Sequence, residues 1–297
     1  MANDIKLVTK YLPLLDEVYK QSAKTAILEA PENMVRATEE ANVFKIAKLS
    51  FDGLGDYDKT TGFPAGNLDL DWETHTFAND RGRKFSLDRM DNLESLGMAL
   101  LNVSGEFVRT EVVPEKDAYT VAKIAGTTGV AGTTGTLTNS NTKEAIDTAI
   151  AQSGEAEVDE ANMILLMTPT IKGNLETEIN RKLDSGVDRY GQKINYYNDI
   201  PIITIPQSRF YDKIDLHDGK TSGQTAGGYV KNTAGKNINF ILMDKNAAFT
   251  VTKHALTKVV TPEQNQMTDG WMFQFRFYYE AFVQENKKAG IYVHKVA

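Results

Sequence analysis

The sequence predicts an α+β chain built around one long helix. Three observations carry this: a long run at helical spacing from Ser86 to Gly126, a period-two strand just before it, and a long aromatic strand near the carboxyl end. Between these the chain alternates strand-like and helix-like segments, the pattern of an α/β region.

The helical run is the central element. Leu93, Leu96, Leu100, Val103 and Phe107 form one apolar stripe, and Leu101, Val108 and Val112 widen it. Asp91 and Glu94 have the spacing of a helix start, in which a carboxylate accepts the first free backbone amides. Pro114 lacks an amide hydrogen and disfavours helical geometry at Val113, so a break or kink is expected there. Glu115 and Asp117 then fall in the positive first turn of a second segment whose buried side is Ala118, Val121, Ala122 and Ala125. If both segments are helical, the element is roughly 35 residues and roughly 50 Å long at about 1.5 Å per residue.

Upstream, Ile5, Val8, Leu12, Leu15 and Tyr19 recur at helical spacing, with Ala23, Ile27 and Leu28 as a second apolar patch before Pro31. The segment is too short to bury that face alone, so it reads equally as an arm that needs a neighbour or as a helix packed on its own domain. Residues 43–51 (VFKIAKLSF) are strand-like, and the Gly- and Asp-rich stretch after them is a loop tip. Leu68, Leu70, Trp72, Thr74 and Thr76 then alternate with Asp69, Asp71, Glu73 and His75, a strand with one solvated face. Two strands and a flexible tip make an extended β-arm, marginal alone in water, that something outside the subunit should hold.

Beyond the helix, GTTGVAGTTGTLTNSNT lacks core-forming residues and is expected as a mobile linker. A short helix at Lys143–Gln152 follows, then a buried strand at Met163–Met167 and a helix of about 14 residues through Ile171, Leu175, Ile179 and Leu183. DSGVDRYGQK reads as a turn-rich connection, Ile200–Ile205 and Phe240–Met243 as buried strands, and the polar stretch between them as surface. Two short strands, Ala248–Thr252 and Leu256–Val260, precede the aromatic strand, which sets Phe273, Phe275, Phe277, Tyr279, Ala281 and Val283 on one face. A turn at Asn286–Gly290 and a final strand Ile291–Val296 close the chain.

Composition excludes several chemistries. There is no cysteine, so disulfides, thiolate nucleophiles and iron–sulfur clusters are out. The net charge of −7, with no basic run, argues against a specific DNA reader, though not against a wall that faces DNA. No apolar run approaches the roughly 20 residues needed to span a bilayer, and the amino terminus lacks a signal-peptide layout, so no membrane role and a cytoplasmic site of synthesis are expected. Asp69, Asp71, Glu73 and His75 project from one strand face at about 7 Å spacing, which does not converge on an ion, so they are read as a solvated or inter-subunit charged face. The loop from Asp52 to Asp58 lacks the calcium-loop spacing, the Gly-Thr repeats lack a phosphate-cradling motif, and His75, His217, His254 and His294 are scattered. The aromatic strand has only Arg276 as a cation between Trp271 and Glu280, so it is read as sheet packed on helix and not as a nucleic-acid platform. No catalytic, cofactor-binding or metal-ligating residue is assigned, and no cofactor is expected.

The order of parts, together with FVRTEVVPEKDAYTVAKIA at 107–125, FILMDKNAAFTVTKH at 240–254 and DGWMFQFRFYYEAFV at 269–283, resembles the major capsid protein of tailed bacteriophages, the Hong Kong ninety-seven fold. The resemblance covers essentially the whole chain. It implies an N-terminal arm at 1–42, an E-loop β-arm at 43–87, and a peripheral domain with a spine helix at 88–139. It further implies an axial domain at 140–240, return strands of the peripheral domain at 241–283, and a final strand at 284–297 joining the axial domain. The implied function is non-enzymatic: self-assembly, as pentamers and hexamers, into the icosahedral head shell of a virion that encloses double-stranded DNA without sequence-specific binding. A separate scaffolding protein, a portal protein and a decoration protein are the implied partners, with assembly in the host bacterial cytoplasm. Lys59 near the tip has no identifiable partner for an isopeptide cross-link, so an uncross-linked shell is expected. The competing readings are an encapsulin-type bacterial compartment of the same fold and, more remotely, an α/β enzyme or binding protein of unknown substrate.

Overall fold

A computed structural model describes residues 23–30, 43–90, 105–187 and 193–297. The stripe residues Leu93, Leu96, Leu100 and Val103, the Asp91–Glu94 helix start and the residues Ile5 to Tyr19 lie outside them.

The centre of the fold is a seven-stranded mixed sheet. Its strands are β4 (Ala131–Thr134), β5 (Met163–Met167), β6 (Asp184–Val187), β7 (Lys193–Tyr197), β8 (Ile200–Thr204), β11 (Ile238–Asp244) and β14 (Ile291–Lys295), in the order β4-β14-β11-β5-β8-β7-β6. The unbroken apolar runs MILLM and FILM occur because both faces are covered. Ile164, Leu166, Ile241 and Met243 pack with Val121, Ile124 and Ala125 of helix α1 (Val113–Gly126). Met163, Leu165, Met167, Phe240 and Leu242 face the other way, onto Ile146 and Ala149 of α2 (Thr142–Glu155) and Ile171 and Leu175 of α3 (Pro169–Glu178). Each strand thus splits its side chains between two helical layers.

The second sheet has three strands, β12 (Ala248–Val260), β13 (Gly270–Val283) and β3 (Asn79–Asp88), with β13 in the middle. α1 lies against its aromatic face, where Tyr119 meets Tyr279 edge-on at 5.7 Å between ring centroids. Just upstream Phe107 packs edge-on against Phe85, Phe273 and Phe275. The β-arm is a separate antiparallel pair, β1 (Val43–Phe51) and β2 (Leu68–Thr76), and a small hairpin joins β9 (Ile214–Leu216) to β10 (Tyr229–Lys231).

Several expectations are corrected. The helical run does not begin at Ser86: Ser86, Leu87 and Asp88 complete β3, whose alternation puts Arg81, Arg83, Phe85 and Leu87 on the half-buried face. Pairing with β13 overrides local helical spacing there. Pro114 does not break the helix. Residues Val108–Val112 form a π-helical turn in which the Val113 amide bonds back to the Val108 carbonyl, and the wider turn relieves the clash a proline ring makes with the preceding turn. α3 stops at Glu178, short of the expected end at Leu183, because Asn180 takes the left-handed conformation that terminates helices (φ 50°).

Part of the expected turn at 184–193 is β6, paired with β7. The two short strands expected at 248–260 are one strand with a bulge between Thr252 and His254. Within the expected linker, β4 runs parallel to β14, and Gly132 is required because a Cβ there would lie 2.3 Å from the Val293 carbonyl oxygen. β11 lies across residue 240 and belongs wholly to the seven-stranded sheet, as does β4 at 131–134.

Candidate functional site

The part of the molecule whose chemistry is incomplete is the β-arm. In its register Ala47 stands opposite Trp72, Leu49 opposite Leu70 and Phe51 opposite Leu68, so all six share one face. That face is uncovered: Phe51 is 69 % exposed, Leu68 65 % and Trp72 54 %. The tip extends it with Leu54, fully exposed, and with Phe63, whose ring lies 4.9 Å from that of Tyr57. Asp58 and Gly62 close a tight turn at the tip, with Gly62 at φ 83°, a region open to glycine at little cost. The Asp58 carboxyl, held by the Thr60 and Thr61 amides, titrates below the usual carboxylate range.

The opposite face carries the charged row, and the structure divides it. Asp69 and Asp71 are exposed near the tip, whereas Glu73 and His75 sit at the root against the body. There Glu73 accepts the Glu285 amide at 3.2 Å and lies 3.0 Å from His75 Nε2, and the His75 ring tilts on Phe282. Burial lowers the His75 pKa against the opposing pull of Glu73. Among the described residues no three His, Asp or Glu side chains gather as metal ligands would.

Two buried carboxylates tie distant elements together, Asp117 holding residues 24–25 and Glu280 the root of the arm. Asp117 of α1 is fully buried and accepts from the Lys24 and Thr25 amides and the Thr25 hydroxyl at 2.8–3.1 Å, while Arg209 pairs with it at 2.9 Å. Its expected role in the helix first turn is therefore replaced by that of anchor for residues 24–25. Leu28 is thereby set into the core shared by α1 and the seven-stranded sheet. Glu280 of β13, 1 % exposed, accepts from the Ala78 amide, the Asn79 side chain and the Tyr119 hydroxyl. Burial first, and then the Glu280 bond, hold the Tyr119 phenol well above its usual range. Nothing in the periodicity marks either carboxylate, because each partner set comes from distant parts of the chain.

The polar stretch between β9 and β10 lies on the surface, but it is pinned. Arg81 of β3 makes two hydrogen bonds to Glu115, at 2.7 and 2.9 Å, and donates to the His217 and Gly228 carbonyls; Arg83 donates to Thr225. The loop, α1 and β3 enclose a cavity of about 450 Å³ lined by Phe85, Phe107, Phe275, Phe277 and Tyr279 beneath a mixed rim of charges. His217 borders this cavity, His254 is exposed on β12, and His294 lies in the sheet core, where Asn239 Nδ2 is 3.0 Å from its Nδ1. No two of the four histidines are brought together.

Among the described residues no helix is long and apolar enough to cross a membrane. No protein-family model matches the chain, and neither does any curated protein. Solved structures do match over nearly its whole length. The capsid structure of the cyanophage P-SCSP1u has a TM-score of 0.66 at 12 % identity, covering 98 % of this chain and 93 % of that one. The mature capsid of bacteriophage PhiM1 gives 0.62 at 11 %, covering 98 % and 92 %, and a structure from Mycobacterium phage Che8 gives 0.63 at 14 %, covering 99 % and 98 %. With two sheets, a helix lying across both and a projecting β-arm aligned end to end with these structures, the chain has the fold of tailed-phage major capsid proteins, the Hong Kong ninety-seven fold.

Proposed function

We propose that the protein is the major capsid protein of a tailed bacteriophage, assembling as pentamers and hexamers into an icosahedral head that encloses double-stranded DNA. The observation that carries this beyond fold is the uncovered apolar face of the β-arm. Eight large side chains stand exposed, Leu49, Phe51, Leu68, Leu70 and Trp72 on the face and Leu54, Tyr57 and Phe63 at the tip, and with about half of each open the patch is on the order of 600 Å². That is the top of the range of roughly 300–600 Å² for the largest patch on a monomer, and it approaches the roughly 800 Å² per partner of a stable interface. In a shell each arm lies on a neighbour, so a surface unfavourable in water becomes a contact repeated around every subunit.

The net charge of −7 fits a wall that encloses DNA without gripping it. A scaffolding protein would set the shell's size, a portal would occupy one vertex, and a decoration protein would bind outside. Assembly would take place in the host bacterial cytoplasm and the product would reside in the virion.

Negative-stain microscopy and sedimentation of the full chain, expressed with its scaffold, test this reading. Closed shells of uniform size are expected, and a small discrete oligomer would contradict it. Shells purified with an enzyme cargo and no nucleic acid would assign the chain to an encapsulin-type compartment instead.

A further inference from the structure

Phe77 and Ala78 are the two residues between β2 and β3, where the chain leaves the arm and enters the three-stranded sheet. Phe77 is fixed by its ring, 5.6 Å from both Phe282 and Tyr278, and by the Tyr278 hydroxyl, which donates to its carbonyl at 3.2 Å. Ala78 is fixed differently, by the buried carboxylate of Glu280. The two oxygens of that carboxylate have divided tasks. Oε2 accepts from the Ala78 amide at 3.0 Å and from Asn79 Nδ2 at 3.1 Å, both belonging to the joint. Oε1 accepts from the Tyr119 hydroxyl on α1 and from the Ala281 amide at 3.2 Å, and lies 3.8 Å from Lys123 Nζ, also on α1.

We propose that Glu280 is a latch that couples the angle of the β-arm to the position of helix α1. A carboxylate is planar and rigid, so a turn that lets Oε1 follow Tyr119 carries Oε2 away from Ala78 and Asn79. A buried carboxylate without its donors is strongly disfavoured, which makes the two sides hold or release together. A shift of α1 against the sheet therefore loosens the joint, and an arm pulled from its rest angle loads the helix. The latch is a property of the single subunit and does not depend on what the arm docks against.

Hydrogen exchange on the full chain, resolved at the Ala78 amide, tests it with Tyr119→Phe, which removes a helix-side donor; the Tyr119 hydroxyl also neighbours the Asn79 side chain, so the readout is the Ala78 amide, which it does not contact. The Ala78 amide is expected to exchange about five- to tenfold faster, the effect of losing one hydrogen bond from the network. Thr120→Ala, which perturbs the next residue of α1 by removing its bond to the Lys116 carbonyl, is the control and should leave Ala78 unchanged. Unchanged exchange in Tyr119→Phe, or an equal rise in both variants, overturns the proposal.

A second reading uses the absence of native cysteine: spin labels at Thr61→Cys on the tip and Lys258→Cys on β12 report the arm angle without background labelling. Glu280→Gln keeps the side chain's shape but can no longer accept on both sides. A broadened label-to-label distance in that variant is expected, and an unchanged one overturns the coupling even if Tyr119→Phe fails to fold.

Discussion

The seven-stranded sheet and the β-arm are built from similar residues to opposite ends. Leu165 and Leu242 in the sheet are completely buried between two helical layers, whereas Leu49, Leu68 and Leu70 in the arm stand about half exposed or more on an uncovered face. The sheet satisfies its side chains within one subunit. The arm's apolar face has no cover among the described residues, so the same side-chain chemistry means stability in one region and association in the other. Replacements should accordingly unfold the subunit in the sheet and leave it folded in the arm.

Leu242→Asp should have the largest effect. It sets an unpartnered carboxylate in a core 0 % exposed, costing more than about 4 kcal/mol against a total stability of about 5–15 kcal/mol. Loss of the cooperative unfolding transition in circular dichroism, with the protein in the insoluble fraction, is the expected result. Asp117→Ala comes next. It removes the carboxylate that faces the buried Arg209 guanidinium, 3 % exposed, and accepts from the Lys24 and Thr25 amides, and should lower stability by about 3–5 kcal/mol in denaturant titration.

A smaller effect belongs to His294, whose pKa burial holds below the ordinary imidazole value. The unfolded chain then binds more protons than the folded one as pH falls toward and below the imidazole pKa, so the stability present at neutral pH is lost on acidification. His75 is shifted in the same direction and adds to the slope. Unfolding midpoints measured from pH 7.5 to 5.5 should fall, and His294→Gln should flatten that fall without abolishing it. The smallest effect on stability is expected from Leu70→Ser with Trp72→Ser, within about 0.5 kcal/mol of the parent, as for other exposed positions. Deleting residues 56–62 should likewise leave a folded subunit that assembles poorly.

The two regions were also unequally legible in the sequence. The arm's strands follow from the alternation of Leu68 to Thr76, and their observed ends, Val43–Phe51 and Leu68–Thr76, match that reading because a two-stranded ribbon has few tertiary partners to override local pattern. The sheet strand Met163–Met167 and the Phe240–Met243 part of Ile238–Asp244 are visible as apolar runs bounded by polar turns. What was hidden depends on distant pairing. β3 reads locally as polar and basic, DRGRKFSLD, and becomes a strand only because β13 lies beside it and Glu115 and the loop carbonyls receive its arginines. The same is true of Asp117 and Glu280, whose partners lie 92 to 202 residues away along the chain. Pro114 was visible, but its consequence was not, since a π turn is a relaxation of the backbone with no side-chain signature.

The most direct test of the contrast compares the parent chain with Leu70→Ser/Trp72→Ser under one set of assembly conditions, by sedimentation and negative-stain microscopy, after matching their unfolding curves. The parent should form closed shells while the variant, equally stable, stays as small unassembled species. Normal shells from the variant would contradict the account, because the arm's apolar face would then not be what joins one subunit to the next.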